Sequence, residues 1–271
     1  MNFFSELLNC SLEDVRSLVI MKANELENSK STERDFIIPN ESSDDYGSFY
    51  RGFIKKSVRI YDSMGAGSND FYTMGEYDYL IEFFEYIKKH NINTRTDAIK
   101  HIAPFLEEYF GKYVGEDVRE DFIRSLGGNI PIDSFKGKGL AACAEKAAIT
   151  NNILSMLGID SFFLTGEVNG EQHAFNVIQS KGSFSLIDSS SCCGLYDRSN
   201  NLLGCATYIY SLGRDPSLIE KFLTSGEPIR TLDAIARFED GSIRYERTGT
   251  LKKYEVEPIK FEEKKEISKK N

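Results

Sequence analysis

With 271 residues, 41% of them hydrophobic and 12% aromatic, the chain carries enough apolar surface for a full core and is not disordered as a whole. A formal net charge of −9 lacks the basic footprint that nucleic acid or anionic lipid requires, so neither is expected as a partner. Five cysteines is an odd count in a chain too long to need disulfide staples, which points to free thiols and a reducing, cytoplasmic compartment; export without a cleaved signal would leave the same composition.

The first ten residues have no basic stretch and Glu6 interrupts their apolar run, so no secretory signal is expected. No apolar stretch approaches membrane-spanning length. Ser11-Leu12-Glu13-Asp14 reads as the start of a helix capped by Ser11, with Leu12, Val15, Val19 and Leu26 on its apolar stripe. Residues 28–47 are polar and turn-rich and read as a surface loop. Residues 50–62 can supply one strand. The glycines of Met64-Gly65-Ala66-Gly67-Ser68-Asn69 lack the Gly-Lys-Ser/Thr ending of a phosphate loop and read as a plain loop.

Residues 77–89 form an amphipathic helix with Leu80, Ile81, Phe84 and Ile87 inward and His90 at its carboxyl end. A second helical stretch covers 94–110, beginning at Thr96 or Asp97, carrying a structural His101 and interrupted or kinked near Pro104. A third, 116–126, stops at Gly127-Gly128, and 129–138 is an irregular approach to a cysteine.

That cysteine is Cys143, in the run Gly137-Lys138-Gly139-Leu140-Ala141-Ala142-Cys143-Ala144-Glu145, which leads into an Ala-rich helix ending near Leu157-Gly158. A thiol in the first turn of a helix meets unpaired N–H groups and the positive end of the dipole, which favour a thiolate nucleophile. Cys143, Ala147, Thr150, Leu154 and Leu157 share a face that can pack inward. Three strands follow, 161–168, 172–178 and 183–188. A four-residue hairpin loop at 179–182 sets His173 directly opposite Asp188, where a carboxylate fixes the imidazole tautomer and stabilises its charged form.

A Cys at a helix start, then a strand bearing His173-Ala174-Phe175-Asn176, then a strand ending Leu186-Ile187-Asp188, resembles the transglutaminase-like superfamily of cysteine enzymes. The resemblance covers residues 137–191. It implies an α+β fold in which the nucleophile helix packs on an antiparallel sheet, with Cys143 as nucleophile, His173 as general base and Asp188 as orienter. It also implies an aromatic or amide side chain upstream of the cysteine in the oxyanion hole, for which Tyr113 and Asn129 are candidates. Glu145 gives the Cys-x-Glu order of arylamine N-acetyltransferases, and is otherwise a first-turn acid favoured by the dipole.

Beyond the core, Ser189-Ser190-Ser191-Cys192-Cys193-Gly194 is a small-residue loop; adjacent cysteines and Cys205 do not make a zinc set, so no metal and no cofactor is expected. A short helix at 217–223, a hairpin of 241–247 with 251–257 and a charged tail complete the chain. The expected organisation is a mainly helical region 1–128, a catalytic core 129–261 and a flexible tail 262–271. The expected activity is thioester-forming acyl transfer on a protein or peptide amide, by a cysteine protease, a deamidase or a transglutaminase. The alternatives are a catalytically silent binding module of the same fold and an arylamine N-acetyltransferase-like acyltransferase.

Overall fold

The computed structural model describes residues 2–29, 36–37, 49–61, 71–168, 171–180, 183–190, 194–196, 202–205, 207–213, 235–237 and 244–246. It is an α+β structure with one buried apolar cluster running from Phe3 to Ile187.

Helix α1 (Phe3–Asn9) is capped by Asn2, whose side chain accepts the Ser5 N–H at 2.9 Å, and it buries Phe3, Phe4 and Leu7. A helix this short has no periodic signature of its own, and packing supplies its stability. Helix α2 (Val15–Glu27) begins later than its Ser11 cap suggests. Ser11 Oγ does accept the Asp14 N–H, at 3.2 Å, but it closes a separate turn that leaves Leu12 exposed while Val15 and Val19 are buried.

Strands β1 (Phe36–Ile37), β2 (Phe49–Arg51), β3 (Arg59–Tyr61) and β4 (Phe71–Thr73) follow. The single strand expected over 50–62 is thus two strands in different sheets. Gly52, at φ 77°, turns the chain out of β2, and its N–H is taken by the Ser161 carbonyl at 2.8 Å.

Helix α3 (Asp78–Lys89) buries Tyr79, Leu80, Ile81, Phe83, Phe84 and Ile87. The helical stretch over 94–110 is two helices, α4 (Arg95–Lys100) and α5 (Ile102–Phe110), broken at His101. Thr94 is the cap, accepting the Asp97 N–H at 3.0 Å. The interruption expected near Pro104 falls at His101, and Pro104 occupies the third position of α5, where a missing N–H costs no helical bond.

Helix α6 (Glu116–Leu126) leads to β5 (Asn129–Pro131) and a 3₁₀ turn at Ile132–Phe135, more regular than the irregular approach expected there. Helix α7 (Cys143–Met156) matches its expected bounds, with Gly158 at φ 72° just beyond it. The remaining strands are β6 (Ser161–Val168), β7 (Glu171–Ser180), β8 (Ser183–Asp188), β9 (Gly194–Tyr196), β10 (Leu202–Cys205), β11 (Tyr208–Gly213), β12 (Ile235–Arg237) and β13 (Arg244–Glu246).

The central sheet has the order β11-β8-β7-β6-β2, antiparallel throughout, so the amino-terminal region supplies one of its edges. A second sheet, β1-β3-β4-β5, contains two parallel pairs. β13 pairs with β12; the hairpin partner expected at 251–257 lies outside the described residues, together with 62–70, 191–193, 217–223 and 262–271.

Helix α7 packs on the central sheet. Asn176 Nδ2 donates to the Ala147 carbonyl at 3.0 Å and to Asn151 Oδ1 at 3.3 Å, and Ser161 Oγ to the Asn151 carbonyl at 3.3 Å. The expectation of one inward face on α7 is corrected: residues 145–154 and Met156 are buried on every side, because α3 and the segment after β2 cover what the sheet does not.

Candidate active site

Cys143 is the first residue of α7 and is half-buried. The loop that delivers it lies against the segment after α5: Gly137 N–H donates to Tyr109 O at 3.0 Å, Gly139 N–H to Phe110 O at 2.7 Å, and Val114 N–H to Gly139 O at 2.9 Å. Gly139 has φ 66°, and a Cβ there would stand 2.1 Å from the Lys112 carbonyl, so only glycine allows this approach.

Ala142 has no side chain able to cap α7. Glu145 does part of that work from inside the helix, its Oε2 accepting the Ala142 N–H at 2.8 Å while its Oε1 accepts from Arg119 Nη2 at 2.6 Å. Both residues are fully buried. Glu145 is the first-turn acid expected, and it is also half of a buried ion pair joining α6 to the turn that carries the thiol. Arg119 was not singled out from the sequence. Its signal was its place four residues before Ile123, on the inward face of α6.

Two other partners surround the pair. Glu116 Oε1 lies 3.6 Å from Arg119 Nη1, and Tyr113 donates its phenolic proton to Glu116 Oε2 at 2.5 Å. Burial, then the bond to Glu116, pushes the Tyr113 phenol well above its ordinary range, while the charges of Arg119 and Glu145 also reach it. Tyr113 thus stands near the first turn of α7. Asn129, the other upstream candidate, accepts from Thr73 Oγ1 at 3.2 Å on the second sheet.

The register of the sheet corrects the expected His173–Asp188 pairing. The ladder runs to Ser180 opposite Ser183, so the hairpin connection has two residues, 181 and 182, in place of four. Asn176 then faces Ile187, and Asp188 falls level with Phe175. The shift is by two residues, which makes positions 173 and 188 diagonal neighbours along the ladder, about 7–8 Å apart between Cα atoms. Asp188 is buried, and its Oδ1 accepts the Ser190 N–H at 2.9 Å, closing the turn that follows β8.

Helix α7 and β7 run in the same direction. Ala147 is bonded to Asn176, whereas Asn151, one turn later, receives Ser161, which pairs with Ile178. The amino-terminal end of β7 therefore lies at the Cys143 end of α7. The side of the sheet packed on α7 is that of Ala174, Asn176 and Ile178; strand alternation assigns Phe175 and Asp188 to the other side.

Of the remaining histidines, His101 Nδ1 lies 3.1 Å from Tyr86 Oη, and the His90 ring lies 4.2 Å from the Tyr86 ring. Both belong to the α3–α5 packing, as expected for structural side chains.

No family model matches the chain, and no curated protein or solved structure matches it.

Proposed function

We propose that the protein is a cysteine-dependent acyl-transfer enzyme acting on a peptide or side-chain amide. The observation that carries this reading is the Cys143 thiol, free and half-buried at the first position of a helix whose residues 145–154 are buried in the core. A nucleophile placed so can reach solvent while its backbone is held rigidly. The sulfur attacks the amide carbon, a thioester forms and the amine leaves; water or a second amine then takes the acyl group. The Cys143 N–H, at the helix end, is oriented to stabilise the oxyanion. His173 takes the thiol proton and returns it to the leaving amine, and Asp188 orients the imidazole. Water is the default acceptor, which favours a peptidase or deamidase over a transglutaminase.

Asp188 falls on the side of the sheet away from α7, and this mechanism needs one imidazole to meet both that carboxylate and the Cys143 thiol. That placement of Asp188 favours a second reading, a catalytically silent binding module of this fold. One experiment separates the two. Alkylation of Cys143 by iodoacetamide at neutral pH is expected to be at least about tenfold faster than that of Cys10, and to fall toward the Cys10 rate in His173→Ala. Equal labelling of Cys143 and Cys10 in the folded wild-type chain selects the binding module. With a reactive ester substrate, Cys143→Ala is expected to abolish acylation, His173→Ala to lower it by about 10²- to 10⁴-fold, and Asp188→Asn to leave measurable activity.

A further inference from the structure

The turn bearing Cys143 is coupled to a charge pair that no part of the acyl-transfer mechanism uses. Arg119 and Glu145 are both fully buried and meet at 2.6 Å. Glu145 sits two residues after the thiol, and its second oxygen holds the N–H of Ala142, the residue just before it. The first turn of α7 is therefore gripped on both sides of the sulfur by one carboxylate. That carboxylate is in turn held by a guanidinium from another helix.

This arrangement has two physical consequences. The Ala142 N–H is already taken, so the donors left at the end of α7 are those of Cys143 and the residues after it. The two charges of the pair also oppose one another. Glu145 without Arg119 would place an uncompensated negative charge two residues from the sulfur and oppose thiolate formation; Arg119 without Glu145 would keep Glu116, 3.6 Å away, and shift the balance the other way.

We propose that Arg119 and Glu145 are positioning residues for Cys143: the pair fixes the amino-terminal turn of α7, and each of its two charges offsets the other beside the thiol. The proposal deepens the acyl-transfer reading and rests on Cys143 being the reactive group. Glu116 and Tyr113 complete the support, Glu116 3.6 Å from the guanidinium and Tyr113 bonded to Glu116.

The test uses the full chain and two reagents of one shape and different charge, neutral iodoacetamide and anionic iodoacetate, with labelling of Cys143 and Cys10 quantified by peptide mass spectrometry. The ratio of iodoacetate to iodoacetamide rates at Cys143 reports local charge, and a general loosening of structure raises both rates together. In Arg119→Met the ratio is expected to fall by about threefold or more, and in Glu145→Gln to rise by a similar factor. Arg119→Lys, which keeps the charge, is expected to return the ratio to within about twofold of wild type. The ratio at Cys10 serves as the control and is expected to be constant. Should a single variant fail to fold, the charge-free double variant Arg119→Met/Glu145→Gln carries the test: its ratio is expected to match wild type while its Cys143 labelling rate differs by more than about threefold, because the grip on the turn is lost.

A Cys143 ratio that moves in the same direction in both single variants, or not at all in folded protein, overturns the proposal. In the double variant, a Cys143 labelling rate equal to wild type does so. Failure of the acyl-transfer reading looks different: Cys143 of the unmodified chain then labels no faster than Cys10, whatever the charge variants do.

Discussion

The two ends of α7 are built from the same kind of material, buried polar side chains, and put it to different uses. In the body of the helix Asn152 is fully buried; its Oδ1 accepts the Ile54 N–H at 2.6 Å and its Nδ2 donates to the Ile54 carbonyl at 3.0 Å and to Tyr79 Oη at 2.8 Å. Asn151 donates to the Gly52 carbonyl. These amides lock the chain after β2 onto the helix through neutral bonds. At the amino-terminal turn the corresponding task falls to charged groups, Arg119 and Glu145, and there the packing opens enough to leave Cys143 and Ala144 half-buried. Neutral bonds hold the segment after β2. A charge pair beside a half-exposed thiol also sets the electrostatics of that thiol, which an amide cannot do.

The contrast can be broken from either side. The largest expected effect on stability is that of Arg119→Met, which leaves Glu145 buried without its partner and is expected to cost about 3–5 kcal/mol in urea unfolding. Asn152→Leu removes partners from both backbone groups of Ile54 and is expected to cost about 2–3 kcal/mol by the same measurement, with Cys143 alkylation in the folded protein unchanged. If Asn152→Leu altered that alkylation as strongly as Arg119→Met, the division of labour along α7 would be wrong.

Arg51 and Asp160 offer a control, a pair 2.7 Å apart with side chains about half exposed. Arg51→Ala is expected to cost at most about 1 kcal/mol, and less in high salt.

The smallest effect is a pH dependence far from α7. Burial first, then the neighbouring His90, holds the His101 imidazole below its usual 6.5. The unfolded chain therefore takes up that proton first, so the contribution of His101 to stability is complete above about pH 6.5 and is lost as the pH falls through the lower folded value. His101→Gln is expected to make the fall in melting temperature between about pH 7 and pH 5 shallower. An unchanged slope would show that this imidazole does not differ between the folded and unfolded states.

The bounds of α7 were legible because an Ala-rich run ends at a glycine that adopts φ 72°. The three strands after it were legible from β-branched and aromatic runs. Their register was not. Ser180-Lys181-Gly182-Ser183 closes in two residues where four were expected, and turn length alone decides register. Nor could the sequence tell which side of β7 meets α7. Ala174, Phe175, Asn176, Val177 and Ile178 are all buried, so the alternation of polar and apolar residues that marks an inside and an outside is missing. Asn151 and Asn152 look like a solvent-facing pair and are instead buried clamps, because their partners lie about a hundred positions earlier in the chain, beyond the reach of local pattern.

That separation has a consequence during synthesis. Gly52 and Ile54 wait for Asn151 and Asn152, 99 and 98 positions later, and β2 waits for β6. At about 5–20 residues per second, the apolar segment of Tyr50, Phe53 and Ile54 leaves the ribosome roughly 5–20 s before α7 and β6 exist to cover it. The first half of the polypeptide is thus a client before it is a structure, and this segment is where a chaperone is expected to hold it. Chains stalled before residue 150 are expected to be cut by protease near residue 50, and chains stalled after β6 has emerged to resist. Equal resistance at both lengths would show that the early segment finds shelter among its own helices.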